Sequence, residues 1–162
     1  MNILIVYGTN SSGTREAAEL VASVFAYHDH HVTLKSAKDA MPEDILDHDL
    51  VVLGSCTWER ITSTRRFEGQ LQQHFIEFRE RLRGKEFNGK RFAVFALGDS
   101  TYTNFCIAAN HLVALAKTLR GEQIGDTLRI DGFFFHPEEN QKKIISWVSG
   151  VLKSLAPAPV TE

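Results

Sequence analysis

Five short apolar runs alternate along this chain with longer segments of amphipathic periodicity. The apolar runs predict strands near residues 3–7, 31–35, 50–55, 91–97 and 123–130. The amphipathic segments predict helices near residues 13–28, 67–82, 104–119 and 138–155, with only a short turn at residues 42–46. Strands that are apolar on both faces indicate a parallel sheet covered by helices on both sides. Right-handed crossovers then favour an α/β doubly wound sheet of five strands in the order 2-1-3-4-5.

A hydroxyl-rich loop joins the first predicted strand to the first predicted helix. It consists of Thr9, Asn10, Ser11, Ser12, Gly13 and Thr14. Free backbone N–H groups at a helix N-terminus lie in the positive field of the helix dipole, so this loop predicts a phosphate site. It has no lysine, no P-loop spacing and no GxGxxG, which leaves the terminal phosphate of a mononucleotide as the best fit. An ordinary helix cap made by Ser11 or Ser12 explains the loop equally well at this point.

Two later loops each carry an aromatic residue just after a predicted strand. Trp58 follows the strand near residues 50–55, and Tyr102 follows the strand near residues 91–97. Because ligands of open α/β sheets bind outside the carboxyl ends of the strands, we expect both aromatic side chains near the loop at residues 9–14. Two flat side chains beside a phosphate loop favour a planar mononucleotide that is held by stacking.

At these motifs the chain resembles the short-chain flavodoxins, small proteins that bind FMN and carry electrons. The resemblance rests on Tyr7-Gly8-Thr9 through Thr14, Thr57-Trp58, Gly98-Asp99-Ser100-Thr101-Tyr102 with Phe105-Cys106, and residues 126–132. It implies a flavodoxin-like fold in which Trp58 and Tyr102 sandwich the flavin ring and residues 9–14 bind the phosphate. The other cofactor-binding positions that it implies are Cys56, Thr57, Glu59, Arg60, Leu97, Gly98, Asp99, Phe105 and Cys106.

The chain departs from the flavodoxin pattern at two places. Ser12 stands where related loops usually have glycine, and it fits only if its φ is negative, since a positive φ costs about 1–3 kcal/mol. The residues after Trp58 are Glu59-Arg60 instead of the usual Gly-Asp, and Arg65 and Arg66 follow where relatives are usually acidic. We therefore expect the redox tuning of the flavin to differ from that typical of the family.

The resemblance implies a low-potential electron carrier with noncovalently bound FMN and no substrate turnover of its own. Its implied partners are an NAD(P)H- or ferredoxin-dependent flavodoxin reductase and acceptor enzymes, and we expect a monomer. Two other classes remain open. One is an FMN-dependent quinone or flavin reductase, and the other is a regulatory module that has lost FMN, an option that Ser12 and Glu59-Arg60 raise.

Composition limits the remaining possibilities. The 162 residues fit one domain, placed at residues 1–155, with a C-terminal tail at residues 156–162. The first residues show no signal region or membrane span, and two cysteines without CxxC spacing favour the cytoplasm and packing roles. A net charge of −2 without interleaved exposed aromatics argues against nucleic-acid binding, despite an excess of basic residues at residues 59–91.

Two motifs contain residue types that can bind metal or act in catalysis, but the residues around them do not favour either function. The sequence His28-Asp29-His30-His31 falls between a predicted helix and a predicted strand, where closely spaced ligands seldom enclose a metal ion, so no metal is predicted. Asp99 lacks a paired acid or nucleophile in the sequence, and we expect it to cap its own loop instead of acting in catalysis.

Overall fold

The computed structural model describes the backbone of residues 1–61 and 66–157 and the side chains of residues 1–58 and 69–157. The strands are β1 (Asn2–Gly8), β2 (His31–Ser36), β3 (Leu50–Ile61), β4 (Arg66–Leu71), β5 (Arg91–Gly98), β6 (Glu122–Gln123) and β7 (Leu128–Asp131). The helices are α1 (Gly13–Tyr27), α2 (Pro42–Leu46), α3 (Gln73–Arg81), α4 (Ile107–Thr118) and α5 (Pro137–Leu155). None of the helices in these described parts is long and apolar enough to cross a membrane.

A parallel sheet in the order β2-β1-β3-β5-β6 organises the fold. The short strands β6 and β7 pair with different parts of β5, so together they occupy the fifth place in the sheet. The predicted strand order 2-1-3-4-5 is thereby confirmed. Because these strands are parallel, the carboxyl ends of β1, β3, β5 and β7 come together at one edge of the sheet.

Each face of the sheet has its own hydrophobic core. Val51 and Leu53 of β3 belong to the core that includes the buried residues of α3 and α4. Leu50 and Val52, the alternate residues of the same strand, belong to the core under α1 and α5. All four are at most 1% exposed, as the two-residue repeat of a strand requires when both faces are covered.

The segment after Trp58 folds differently from the prediction. Residues 66–71 form β4, which pairs antiparallel with the outer half of β3, so the helix predicted at residues 67–82 begins only at Gln73. The side chain of Gln72 accepts hydrogen bonds from the backbone N–H groups of His74 and Phe75. This cap fixes the start of α3 and separates it from the hairpin.

The last predicted strand, at residues 123–130, is interrupted. Gly125 has a φ of 71°, a conformation that breaks the extended chain between β6 and β7. The indole N–H of Trp147 in α5 donates to the carbonyl of Asp126 at 2.6 Å and fixes this turn against the helix. The break therefore depends on a contact from a distant part of the chain.

We expect substitutions at two glycines to have opposite effects on stability. A Cβ on Gly54 in β3 would fall within the ring of Phe95, whereas a Cβ on Gly150 in α5 would meet nothing within 4 Å. Gly54→Ala should lower the free energy of unfolding by about 1–3 kcal/mol through overpacking. Gly150→Ala should raise it by about 0.5–1 kcal/mol because alanine is the better helix former. Urea denaturation followed by circular dichroism measures both, and a Gly54→Ala protein as stable as the parent would contradict this packing.

Candidate cofactor site

A cavity of about 530 Å³ opens at the carboxyl ends of β1, β3, β5 and β7. It is therefore in the crevice where doubly wound sheets bind their ligands. The described residues that line it are Thr9, Asn10, Ser11, Gly13, Thr14, Cys56, Thr57, Leu97, Gly98, Asp99, Tyr102, Asn104, Gly132, Phe133, Phe134 and Phe135. Its size is in the range of small-molecule and cofactor sites, and its walls combine aromatic faces with a few polar groups.

The hydroxyl-rich loop forms one end of this cavity. The hydroxyl oxygens of Thr9 and Thr14 are buried, and neither has a nitrogen or oxygen atom as a hydrogen-bond partner. The Thr14 hydroxyl lies close to the Cys56 thiol. Thr14 itself is only 1% exposed and lies in the first turn of α1. Two buried, unpaired hydroxyl groups at a helix N-terminus indicate a missing polar ligand, because such groups are costly when they are left unsatisfied. We call residues 9–14 the phosphate loop.

Ser12 does not form the helix cap that was the alternative to a phosphate site. Ser12 occupies the N-cap position of α1, but its side chain forms no capping hydrogen bond. Its hydroxyl donates instead to the carboxylate of Glu16 at 3.0 Å. The backbone N–H groups at the start of α1 therefore donate no hydrogen bond to the hydroxyl of the N-cap residue. This favours the phosphate interpretation over the ordinary cap.

Ser12 adopts the strained conformation that its side chain should avoid. Its φ is 65° and its ψ is −21°, in the left-handed region that favours glycine. The condition for an unstrained serine, a negative φ, is therefore not met. A non-glycine residue held there costs about 1–3 kcal/mol, and such strain is concentrated at binding sites that the surrounding structure holds in place.

The loop after β5 is held rigid from within. The carboxylate of Asp99 accepts hydrogen bonds from the Thr101 backbone N–H at 2.8 Å and the Thr101 hydroxyl at 2.6 Å. The expectation that Asp99 caps its own loop is thereby confirmed. The backbone N–H of Tyr102 donates to the Asp99 carbonyl at 3.1 Å. This turn presents the Tyr102 side chain, 60% exposed, at the wall of the cavity.

A contact between loops extends the same network. The backbone N–H of Ser100 donates to the Asp131 carboxylate at 2.9 Å. Hydrogen bonds from Ser100 lower the pKa of that carboxyl group below its usual value. The loops that follow β5 and β7 are thus joined beside the cavity.

Several predicted site residues are not among the described residues that line the cavity. Trp58 is half-buried, its backbone pairs with Gln70 of β4, and it is not among the residues that line the cavity. Phe105 and Ser12 are also absent from the lining. The side chains of Glu59, Arg60, Arg65 and Arg66 lie outside the described residues, so the altered redox tuning expected from them stays a prediction.

The two cysteines are buried thiols. Cys106 lies behind Gly98, with its sulfur 3.5 Å from the Ala96 carbonyl and 3.6 Å from the Ile130 carbonyl, and burial raises its pKa to about 12. Burial also raises the pKa of Cys56, although the Thr14 hydroxyl and the Asn10 backbone N–H act in the opposite direction. Raised thiol pKa values disfavour a reactive thiolate and support the packing roles.

The cavity also contains residues that the sequence prediction missed. Gly132, Phe133, Phe134 and Phe135 follow β7 and line the cavity, as does Asn104. Three consecutive phenylalanines directly after a strand were the available signal. The rule that placed Trp58 and Tyr102, an aromatic residue just past the carboxyl end of a parallel strand, applies to them as well.

The histidine segment remains outside the site. Within the parts of the chain that the structure describes, no group of three or more His, Cys, Asp or Glu side chains is arranged to hold a metal ion. His30 lies edge-on to the ring of Phe25, with 6.5 Å between the ring centres. Partial burial lowers the pKa of His30, which keeps its imidazole neutral at physiological pH.

An open parallel sheet with a phosphate loop and an aromatic-lined cavity at its carboxyl edge defines the class of α/β proteins that bind a planar mononucleotide. A model of the flavodoxin family matches residues 5–147. The flavodoxin of Maridesulfovibrio salexigens is 36% identical over 149 residues, which cover 91% of this chain and 94% of that protein. The flavodoxin of Nitratidesulfovibrio vulgaris, strain Miyazaki F, is 32% identical over 155 residues, 95% of this chain and 99% of that protein.

A solved structure agrees with these sequence relatives. Oxidised flavodoxin 2 from Bacillus cereus superposes with a TM-score of 0.83 at 27% identity, over 94% of this chain and 99% of that one. The chain belongs to the flavodoxin family. Like its family, it is an electron-transfer protein whose cofactor is FMN.

The described residues fit this cofactor. FMN carries a terminal phosphate, and the unpaired hydroxyl groups of Thr9 and Thr14 lie at the N-terminus of α1, where an anion is stabilised. No lysine or arginine is among the described residues that line the cavity. The phosphate end of the site is therefore built from neutral donors and the helix dipole.

The strain at Ser12 makes a testable prediction. Ser12→Gly should raise the free energy of unfolding by about 1 kcal/mol, because glycine adopts a positive φ without a steric penalty. Ser12→Ala is the matched control, since it keeps the Cβ at the same φ and removes only the exposed hydroxyl. Denaturation of the FMN-free proteins measures both changes. Stabilisation by alanine as large as that by glycine would show that Ser12 is not strained.

Proposed function

We propose that this protein carries electrons at low potential between a flavodoxin reductase and acceptor enzymes and turns over no substrate itself. The observation that carries this proposal is the cavity at the carboxyl edge of the sheet, with two unpaired buried hydroxyl groups at one end and an exposed aromatic side chain at its wall. FMN, when bound, supplies the one-electron chemistry, and the chain supplies binding, orientation and electrostatics.

The lining residues do not favour a separate enzymatic activity. Of the described residues that line the cavity, Asp99 is the one carboxylate, and it is engaged within its own loop. The Cys56 thiol has a raised pKa and is therefore a poor nucleophile at neutral pH. A quinone or flavin reductase needs only a substrate pocket over the flavin, because the flavin itself supplies the redox chemistry. The lining residues therefore do not exclude this alternative, and turnover has to be measured.

We assign the two ends of the cavity to the two ends of FMN. The phosphate loop, with Thr9 and Thr14 as hydroxyl donors, holds the phosphate. Tyr102 stacks on the flavin ring, and the half-buried Trp58 of the β3–β4 hairpin covers its other face after a small adjustment. The backbone groups of Thr57, Gly98 and Asp99 bind the ring edge. This arrangement places the negative charge of Asp99 near the ring, which disfavours an anionic reduced flavin and lowers the potential.

Substitutions at the two ends should have different ligand signatures. Thr14→Ala removes a donor to a charged phosphate and should weaken FMN binding by about 1.5–3 kcal/mol while leaving riboflavin affinity nearly unchanged. Tyr102→Ala should weaken FMN and riboflavin alike, by about 1–3 kcal/mol, because both ligands carry the stacked ring. Titration of the FMN-free proteins, followed by flavin fluorescence, gives all of these affinities.

Two controls lie away from the cavity. Thr118→Ala removes an exposed hydroxyl that bonds within α4, and Tyr27→Ala removes a tyrosine that is 84% exposed at the end of α1. Both should bind FMN and riboflavin like the parent protein. Equal losses for the two ligands in Thr14→Ala would contradict the phosphate assignment, and unchanged affinities in Tyr102→Ala would contradict the stacking assignment.

Steady-state kinetics separates a carrier from an enzyme. The FMN-loaded protein, mixed with NADPH or NADH and a quinone, should give no turnover above free FMN. A flavodoxin reductase added with a terminal acceptor should make the rate proportional to the concentration of this protein. Rapid NAD(P)H–quinone turnover without the reductase would show that the chain is itself a reductase.

A further inference from the structure

The turn that follows β7 forms a wall of the cavity that neither the motifs nor the proposed roles above account for. It comprises Gly132, Phe133, Phe134 and Phe135, and we call it the aromatic turn. Phe134 is 54% exposed and Phe135 is 79% exposed. Large apolar side chains left in water beside a binding cavity indicate a surface that a ligand covers.

Phe134 lies directly against the phosphate loop. A Cβ placed on Gly13, the first residue of α1, would be 3.2 Å from one carbon of the Phe134 ring and 3.6 Å from another. The same position is 3.5 Å from a methyl carbon of Leu97 at the end of β5. The ring therefore lies beside Gly13 at the N-terminus of α1. It contacts Phe133 edge to face, with 5.3 Å between the ring centres.

Hydrogen bonds hold the backbone of the aromatic turn in place. Gly132 has a φ of 52°, and its carbonyl accepts a hydrogen bond from the Phe135 N–H at 2.8 Å, which closes a tight turn. The Gly132 N–H donates to the Gly98 carbonyl at 3.0 Å. The first bond closes the turn, and the second fixes it to the end of β5.

The side chain of Asn140 in α5 contacts the backbone of the aromatic turn. It is 1% exposed, and its side-chain nitrogen lies 3.4, 3.5 and 3.2 Å from the carbonyls of Asp131, Gly132 and Phe133, respectively. A single buried amide thus contacts the three carbonyls that precede Phe134. Asn140 therefore holds the backbone that leads into Phe134.

The neutral donors of the phosphate loop should bind a phosphate more strongly where an aromatic ring excludes water. These donors are hydroxyl groups, backbone N–H groups and a helix dipole, with no cation among the described lining residues. Hydrogen bonds of this kind are weakened where water competes, and they strengthen when the local dielectric constant is low. An aromatic ring beside the helix N-terminus excludes water from the site and so strengthens the hold of neutral donors on a phosphate.

We propose that Phe134 is a further FMN-binding residue that closes the phosphate end of the cavity, and that Asn140 is the residue that positions it. The proposal rests on the assignment of the phosphate to residues 9–14. It adds a specificity determinant, because the ring shields the phosphate group that distinguishes FMN from riboflavin.

The test measures the rate of FMN release, by the recovery of flavin fluorescence after dilution of the loaded protein. Phe134→Ala should release FMN about tenfold faster, and Phe134→Leu, which keeps an apolar cover, less than about threefold faster. Tyr27→Ala is the control, because it removes an aromatic ring that is 84% exposed at the end of α1, away from the cavity, and it should stay within about twofold of the parent. Riboflavin release should change less than FMN release in Phe134→Ala.

A second variant tests the positioning role. Asn140→Ala alone should speed FMN release, but in the Phe134→Ala background it should add nothing, because its effect acts through the ring. Equal acceleration in both backgrounds would show that Asn140 supports the fold in general. Denaturation of the same FMN-free variants separates loss of stability from faster release.

The outcomes distinguish this proposal from the assignment on which it rests. Unchanged or slower FMN release in Phe134→Ala, while Thr14→Ala loses FMN selectively, overturns the role of Phe134 alone. A Thr14→Ala protein that loses FMN and riboflavin equally overturns the phosphate assignment itself. Faster release of FMN and riboflavin to the same extent in Phe134→Ala overturns the claim that the ring covers the phosphate.

Discussion

Burial of the central strands on both faces is the constraint on which the rest of this structure depends. Because successive residues of β1, β3 and β5 point to opposite cores, helices must cover both sides of the sheet. The strands between those helices run parallel, so their carboxyl ends share one edge. The loops that leave this edge are the part of the chain free to bind a ligand, and the cavity lies there.

The proposed phosphate site has no cation among the described residues that line the cavity. Its chemistry depends instead on preorganised neutral groups: the N-terminus of α1, the buried hydroxyls of Thr9 and Thr14, and the tight turns of the neighbouring loops. The strained backbone of Ser12 belongs to the same arrangement. Unpaired donors and backbone strain reduce the stability of the FMN-free fold, and a phosphate bound at residues 9–14 would relieve the first of these costs.

Local sequence rules predicted the framework of the site well. About thirty neighbouring residues contain the whole pattern of an apolar strand, a hydroxyl-rich loop and an amphipathic helix. The structure places most of that loop at the cavity. Tyr102 was predicted in the same way. Trp58 was harder to place, because the segment after it pairs as β4 where the local pattern predicted a helix, and strand pairing depends on a partner elsewhere in the chain.

The strand order, the position of the phosphate loop and the family could be predicted from the sequence, because periodicity and short motifs are local properties. The folded structure was needed to show that Ser12 has a positive φ, that the Cys106 thiol faces two backbone carbonyls, and that Phe134 lies against Gly13. The contact between Cys106 and Ile130 and the contact between Phe134 and Gly13 join residues far apart in the chain. Packing around a single residue can override its intrinsic preference, and no local pattern encodes which distant side chain will lie beside it.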